Sequence, residues 1–390
     1  MRVRLWAVVA ALAALMIGLA VAPARGAATL TQVTGFGSNP GALRMFSYVP
    51  TGLPAGRPVV VALHGCTQNA AGYYAGSGWG KYADLYQAAL VVPEQTSANN
   101  ALSCFNWFTA GDIARGQGEA LSIRQMVAYA VATYGSDPAR VYVTGLSAGG
   151  AMTAVMLATY PDVFAAGAVV AGLPYNCGTI CQYQAQPKTP AQWGDLVRAA
   201  YPGYSGPRPR VAIWHGTADS TVVPANATEL RDQWTNVHGL GQTPTATTTL
   251  PGGTVQESYG QAVQLNRVPG LGHGTPVNPG GAEDQCGATG AYFLASICSS
   301  YHIARFWGLT GNGGPTPPPT TPPTTTPPTT PPAGPCVTAS NYAHTVAGRA
   351  HQSGGYTYAN GSNQAMGLWN TAITRGLRST GANYYVLCQA

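Results

Sequence analysis

Residues 141–150 read VYVTGLSAGG, a mostly apolar run ending at Ser147, with glycines at 145, 149 and 150 around the hydroxyl. The first six residues have the β-branched and aromatic content of a buried strand, and the following AMTAVMLATY (151–160) reads as a helix. A chain that passes from strand to helix this abruptly must turn sharply. Gly145 and Gly149 then lie where any side chain would strike the neighbouring strand or helix. The G-x-S-x-G spacing therefore predicts a strained backbone at Ser147, with its hydroxyl lifted clear of the sheet edge at the positive end of a helix.

Working outward, short apolar runs recur on both sides of this unit. Candidate strands are 33–37 (VTGFG), 44–50 (RMFSYVP), 58–65 (PVVVALHG), 89–95 (ALVVPEQ), 166–174 (AGAVVAGLP), 210–216 (RVAIWHG) and 263–270 (VQLNRVPG). Several are unbroken, as expected of parallel strands buried on both faces. Residues 119–134 instead place Ala120, Ile123, Met126, Val127, Ala130, Val131 and Tyr134 at helical spacing, and Gly135 supplies a stop signal. Alternating β and α elements predict an α/β class protein with a mostly parallel, doubly wound sheet, of the α/β-hydrolase kind given the elbow at Ser147. The first two strands, with no helix between them, are expected to form an antiparallel edge hairpin.

A serine nucleophile needs a base, and the base needs an orienting acid. In this fold they follow the serine in the order acid, then histidine, each on a loop after a strand. After RVAIWHG comes TADSTVVP, which makes Asp219 the candidate acid; after VQLNRVPG comes LGHG, which makes His273 the candidate base. Asp219 also fits a turn or helix cap, and His238 and His302 are rival bases, though neither follows a strand. The oxyanion of a tetrahedral intermediate needs backbone donors. These are expected from Ala148, directly after the nucleophile, and from the Gly65-Cys66-Thr67 turn. The side chains of His64 and Cys66 are read as shaping that turn, and His215 as a packed structural histidine.

The two ends of the 390-residue chain are not ordinary folded sequence. Arg2 and Arg4 precede an apolar run from Leu5 to about Val21, and small residues follow at 22–28 (APARGAA). That pattern predicts a secretory signal peptide over 1–28; a membrane anchor is the alternative, although the run is short for a crossing. Residues 311–335 are dense in Thr and Pro and read as an extended polyproline II spacer, reaching on the order of 75 Å at about 3.1 Å per residue. The spacer separates a catalytic body (29–310) from a tail (336–390) that contains no Asp or Glu; the last carboxylate in the chain is Asp284. The tail therefore lacks the acid for a carboxylate-oriented triad and is read as a binding module. Its small size makes it dependent on a disulfide.

Eight cysteines in a chain bound for an oxidising compartment are first read as four disulfides. Local closure pairs Cys177 with Cys181, Cys286 with Cys298 and Cys336 with Cys388, leaving Cys66 for Cys104. No C-x-x-C pair or zinc-finger spacing occurs, so neither a metal site nor any other cofactor is expected. The 19 basic and 13 acidic residues form no Lys/Arg run, which argues against a nucleic-acid partner. A weakly charged, tyrosine-rich chain of this kind suits a monomer working on an uncharged or insoluble substrate.

At LHGCTQ (63–68), GLSAGG (145–150), WHGTADSTVVP (214–224) and GLGHG (270–274) the chain resembles the extracellular polyhydroxybutyrate depolymerase family, which is related to secreted feruloyl and acetylxylan esterases. The HGC loop standing before the serine resembles that family's type 1 catalytic domain. The resemblance spans about residues 30–308. It implies Ser147, Asp219 and His273 as a triad, with the amides of Cys66 and Ala148 as the oxyanion hole. Residues 338–370 resemble the same family's short substrate-binding domain, which implies roles for Cys336, Arg349 and His351 around a polymer-binding surface. Independently, Tyr356, Tyr358, Trp369, Tyr384 and Tyr385 offer flat apolar area with polar tips, suited to polyester or sugar rings, or else they fill a small core. The expected activity is ester hydrolysis of poly(3-hydroxybutyrate)-type polyesters outside the cell. The rivals are a feruloyl or acetylxylan esterase with a carbohydrate-binding tail, and a catalytically idle adhesion protein.

Overall fold

The computed structural model describes residues 28–310 and 335–388 apart from 354, 361, 363, 382 and 383. The predicted signal segment and nearly all of the Thr/Pro spacer lie outside these residues. The chain divides into two compact units, one running to Gly314 and one from Pro315 onward.

The first unit is organised by a ten-stranded sheet. Its strands are β1 (Thr31–Val33), β2 (Arg44–Tyr48), β3 (Val59–Leu63), β4 (Ala89–Glu94), β5 (Val141–Leu146), β6 (Ala166–Val170), β7 (Arg210–Gly216), β8 (Ala246–Thr249), β9 (Val255–Tyr259) and β10 (Val263–Val268). The spatial order is β1-β2-β4-β3-β5-β6-β7-β10-β9-β8. The six strands from β4 to β10 are parallel, and antiparallel pairs extend both edges. Strands β3 to β6 are buried along their whole length, which is why each reads as an unbroken apolar run. The expected edge hairpin is present, but β1 stops at Val33. Gly35 and Gly37 take positive φ there and turn the chain away, so 34–37 is not strand.

Among the described residues, seven α-helices accompany the sheet: α1 (Ala70–Ser77), α2 (Trp79–Tyr86), α3 (Gly118–Tyr134), α4 (Ala148–Thr159), α5 (Pro190–Ala200), α6 (Ala225–Val237) and α7 (Ser299–Trp307). Helix α3 ends where the sequence predicts. Gly135 adopts φ 62° and returns its N–H to the Val131 carbonyl. Helix α4 is buried on every side, so it carries no polar stripe. A short parallel pair, β11 (Thr275–Val277) and β12 (Phe293–Ala295), follows the His273 loop.

The second unit holds helix α8 (Asn341–Val346) and two three-stranded antiparallel sheets. One orders β13 (Val337–Ser340), β17 (Thr374–Gly381) and β18 (Tyr384–Cys388); the other orders β14 (Ala350–Ser353), β15 (Tyr356–Ala359) and β16 (Ala365–Leu368). Its apolar core is small, built on Ala350, Ala359, Met366 and Leu377 with Tyr385 against them. Cys336 is bonded to Cys388, joining the start of the unit to the end of its last strand.

Candidate active site

The chain leaves β5 and enters α4 through Ser147, whose φ of 57° and ψ of −117° lie outside the allowed regions for an ordinary residue. Backbone of this kind costs about 1–3 kcal/mol and persists only where its surroundings dictate it. Here the Ser147 N–H donates to the Val170 carbonyl at 2.9 Å, and its own carbonyl accepts from Ala151 at 2.8 Å. A Cβ on Gly145 would collide with the Gly149 carbonyl, and one on Gly149 with the carbonyls of Leu63 and His64. Both glycines are thus required by close backbone approach.

Asp219 sits on the loop leaving β7, with its carboxylate wholly buried. One oxygen, Oδ1, accepts the Thr221 and Val222 amides, each at 2.9 Å. The other, Oδ2, accepts from His273 Nδ1 at 2.8 Å and lies 3.4 Å from His215 Nε2. Burial alone would raise this carboxyl. The hydrogen bonds from His215 and His273, the charge of His273 and the Val222 amide together outweigh it and hold the group far below the usual carboxylate range. Because Nδ1 of His273 donates to Asp219, Nε2 is left as the proton-accepting nitrogen. His273 and Ser147 line one cavity of about 280 Å³. The rivals stand elsewhere: His238 is bonded to the Pro209 carbonyl, and His302 packs against Trp214, with burial pushing it down to about 4.

Cys66 and Ala148 also line this cavity. Among the described residues neither amide donates to another protein group, whereas the flanking Gly65 and Thr67 amides are both engaged, by Gln68 Oε1 and the Leu102 carbonyl. Fully buried His64 stands behind this turn. Its Nε2 accepts the Gln95 amide at 3.0 Å, so Nδ1 carries the hydrogen and donates to the Gly65 carbonyl at 2.8 Å. Pinning that carbonyl fixes the Gly65–Cys66 peptide plane, and with it the opposite-facing Cys66 N–H.

A disulfide joins Cys66 to Cys104, 38 residues on, and brings Leu102, Cys104 and Trp107 to the cavity wall. The remaining wall includes Leu173, Gln182, Tyr183 and Tyr292, none of them singled out by sequence reading. Gln182 and Tyr183 come from the segment after Tyr175, where a short 3₁₀ turn (Thr179–Gln182) carries the Cys177–Cys181 disulfide. The Cys286–Cys298 disulfide ties the loop after β11 to the start of α7. Elimination, after local closure of the other six cysteines, leaves Cys66 for Cys104. Once Cys66 is placed at the oxyanion turn, that pairing is the one sequence signal that draws 102–107 to the site.

Behind the wall lies Glu119, fully buried and absent from any sequence motif. It accepts from the Gln95 side chain and from the Asn106 amide, linking the end of β4 to the 102–107 wall. Burial, aided by nearby Asp112 and opposed by these hydrogen bonds, pushes its carboxyl up from 4.5 to about 8. The folded chain therefore keeps a proton that the unfolded chain loses, so this contribution to stability is complete below about pH 4.5 and vanishes as pH rises through about 8. The Glu119 contribution, read as the wild-type melting temperature minus that of Glu119→Gln, is expected to fall by about 5 °C between pH 5 and 8. Glu119→Gln, measured by calorimetry, should lose that slope whatever its starting stability; parallel slopes would show that Glu119 stays ionised.

In the second unit, Arg349 Nε donates to His344 Nδ1 at 2.9 Å, and His344 Nε2 donates to the Arg375 carbonyl at 2.8 Å. Arg349 is thus engaged within the unit. His351 is exposed, bonded to Asn360 and stacked near Tyr358. Tyr356 pairs across the strands with Leu368, and Trp369 meets Tyr342 with ring centroids 5.4 Å apart; all four are exposed. Tyr385 belongs to the core, and the Tyr384 side chain lies outside the described residues. Tyr342 is an addition that sequence reading did not supply.

Residues 43–258 match the family model described as esterase PHB depolymerase. Poly(3-hydroxyalkanoate) depolymerase C of Paucimonas lemoignei is 53% identical over 294 residues, covering 72% of this chain and 70% of that one. Feruloyl esterase B of Talaromyces stipitatus is 39% identical over 279 residues, covering 68% of this chain and 77% of that one. Among solved structures, acetyl xylan esterase from Aspergillus awamori superposes with a TM-score of 0.63 at 29% identity, covering 72% of this chain and 99% of that one. The matched span contains the elbow, the HGC turn and the Asp219 loop, and the shared fold is the α/β-hydrolase arrangement described above. The chain is an ester hydrolase and belongs to the esterase PHB depolymerase family.

Proposed function

We propose that the chain is a secreted serine esterase that depolymerises short-chain poly(3-hydroxyalkanoate). The observation that carries the chemistry is the 2.8 Å Asp219–His273 pair, whose His273 lines one cavity with Ser147 and the two residues of the unengaged amides. His273 Nε2 takes the Ser147 proton as Oγ bonds to the ester carbonyl carbon. The Cys66 and Ala148 amides stabilise the resulting oxyanion. As the intermediate collapses, the C–O bond to the leaving alcohol breaks and His273 returns the proton to that oxygen. Water then repeats the sequence, releasing the 3-hydroxyacyl group and restoring the serine.

Several features favour an insoluble polyester partner. Leu102, Tyr183 and Tyr292 line the cavity yet stay exposed, and exposed Phe108 packs on Trp107 of the wall. The tail carries its own exposed apolar set at Tyr342, Tyr356, Leu368 and Trp369. Holding the enzyme on a solid through that unit raises the local concentration of cleavable ester without altering the chemistry. The signal-like start of the chain supports export, and the protein is taken to act as a monomer. A second reading, a feruloyl or acetylxylan esterase with a carbohydrate-binding tail, is favoured by the Talaromyces and Aspergillus relatives.

Turbidity clearing of polyhydroxybutyrate granules beside release of ferulate from methyl ferulate separates the two. The full chain is expected to clear granules and leave methyl ferulate nearly untouched. A chain ending at residue 310 should keep its activity on soluble short esters but lose about ten- to a hundred-fold on granules. Ferulate release without clearing would transfer the chain to the second reading, and undiminished clearing by the truncated chain would remove the role of the tail.

A further inference from the structure

We propose that His215 is a positioning residue for the reaction, acting through Asp219; this rests on the triad reading above. His215 is the penultimate residue of β7, with its side chain 1% exposed. Its Nε2 lies 2.9 Å from the Val222 carbonyl, and a carbonyl can only accept, so Nε2 carries the hydrogen. That same nitrogen lies 3.4 Å from Asp219 Oδ2. Nδ1 is buried without a partner among the described residues, so every polar contact of the ring runs through Nε2. The ring therefore does two things from one atom. It clamps the far end of the 217–222 loop, and it sets a polarised N–H 3.4 Å from the oxygen that orients His273, a longer electrostatic contact beside the hydrogen bonds from the Thr221 and Val222 amides and His273.

The consequence concerns charge. Oδ2 is the oxygen that orients His273, and it is also the oxygen His215 shares. Withdrawing the His215 donor leaves more negative charge facing His273, whose imidazolium then keeps its proton to higher pH. Turnover needs the unprotonated ring, so the acid limb of the kcat/KM profile should move upward. Arg267 on β10 is the register partner of His215 and donates to Thr228 Oγ1 at 3.1 Å, and the other groups facing this pair are few. Ser147 comes from the elbow, Tyr292 meets the His273 ring edge-on at 6.1 Å, and Tyr183 lines the cavity; among the described lining residues there is no Lys, Arg or Glu.

The test compares His215→Leu, which fills space without a donor, with His215→Gln, whose amide reaches the Nε2 position. On a soluble short-chain ester, His215→Leu is expected to lose about ten- to a hundred-fold in kcat with little change in KM, the worth of one hydrogen bond to a charged group. Its acid limb should rise by about half a pH unit. His215→Gln should restore the limb and most of kcat. If His215→Leu does not fold, His215→Asn, whose amide falls short of the Nε2 position, takes its place in the same contrast. A limb that stays put in the donor-free variant, or a glutamine variant as impaired as the leucine one, overturns the proposal and leaves the ring as packing. That result is distinct from failure of the triad reading, which would appear as substantial turnover by a Ser147→Ala protein.

Discussion

Ser147→Ala is expected to reduce kcat on a soluble short-chain ester by about a million-fold, the loss seen when a serine hydrolase is deprived of its nucleophile. The residue sits at φ 57°, a conformation that alanine tolerates as poorly as serine, so the elbow itself should persist. The remaining turnover would come from bound water polarised against the Cys66 and Ala148 amides. Adsorption to polyhydroxybutyrate powder should be unchanged, because the tail is untouched. Loss of less than about a hundred-fold, with the fold verified by circular dichroism, would mean that another group makes the covalent bond.

The second large effect belongs to Asp219→Asn. Its carboxylate accepts three hydrogen bonds, from the Thr221 and Val222 amides on Oδ1 and from His273 on Oδ2, with His215 Nε2 lying 3.4 Å from Oδ2. An asparagine that keeps its carbonyl oxygen toward the two amides must turn its NH₂ toward His273. The imidazole then escapes a donor–donor clash by carrying its hydrogen on Nε2, the nitrogen that should receive the serine proton. We expect kcat to fall about 10⁴-fold with KM little changed, as for other triads in which the tautomer is reversed. The substitution is nearly isosteric, so a drop of less than tenfold would show that Asp219 only shapes the loop.

The sequence discloses those parts of the molecule where physics leaves few choices. Strands β3 to β6 are buried on both faces and are apolar but for Glu94 and Thr144. The elbow needs glycine at 145 and 149 because backbone lies where a Cβ would go. The loops holding Asp219 and His273 follow strands that pair side by side, β7 with β10, so chain order and strand ends suffice to find them. The edge pair β8–β9 was missed because burial does not constrain it: every residue of β8 (ATTT) is exposed, and nothing apolar marks it. The stretch 33–37 looked like strand by composition, but its two glycines turn the chain instead. The cavity wall was the least readable part. Leu102, Trp107, Gln182, Tyr183 and Tyr292 come from loops with no period, placed by disulfides and packing between residues distant in the chain. Glu119 carries no motif signal, and by sequence His215 reads as a packed structural histidine. Glu119 shows its role only through Gln95 and Asn106, outside its own helix, and His215 only through the turn that brings Asp219 and Val222, four and seven residues on, back to its ring.

The closeness of the elbow also divides the protein for anyone wishing to alter which esters it accepts. Positions 145 and 149 cannot accept even a methyl group, since a carbonyl occupies the space, so libraries that vary them will be filled with dead clones. Leu102, Tyr183 and Tyr292 border the same cavity from loops that face solvent, where larger or smaller side chains meet water rather than packed backbone. Directed evolution of substrate range therefore has its room along this rim, while the turn that holds Ser147 remains closed to it.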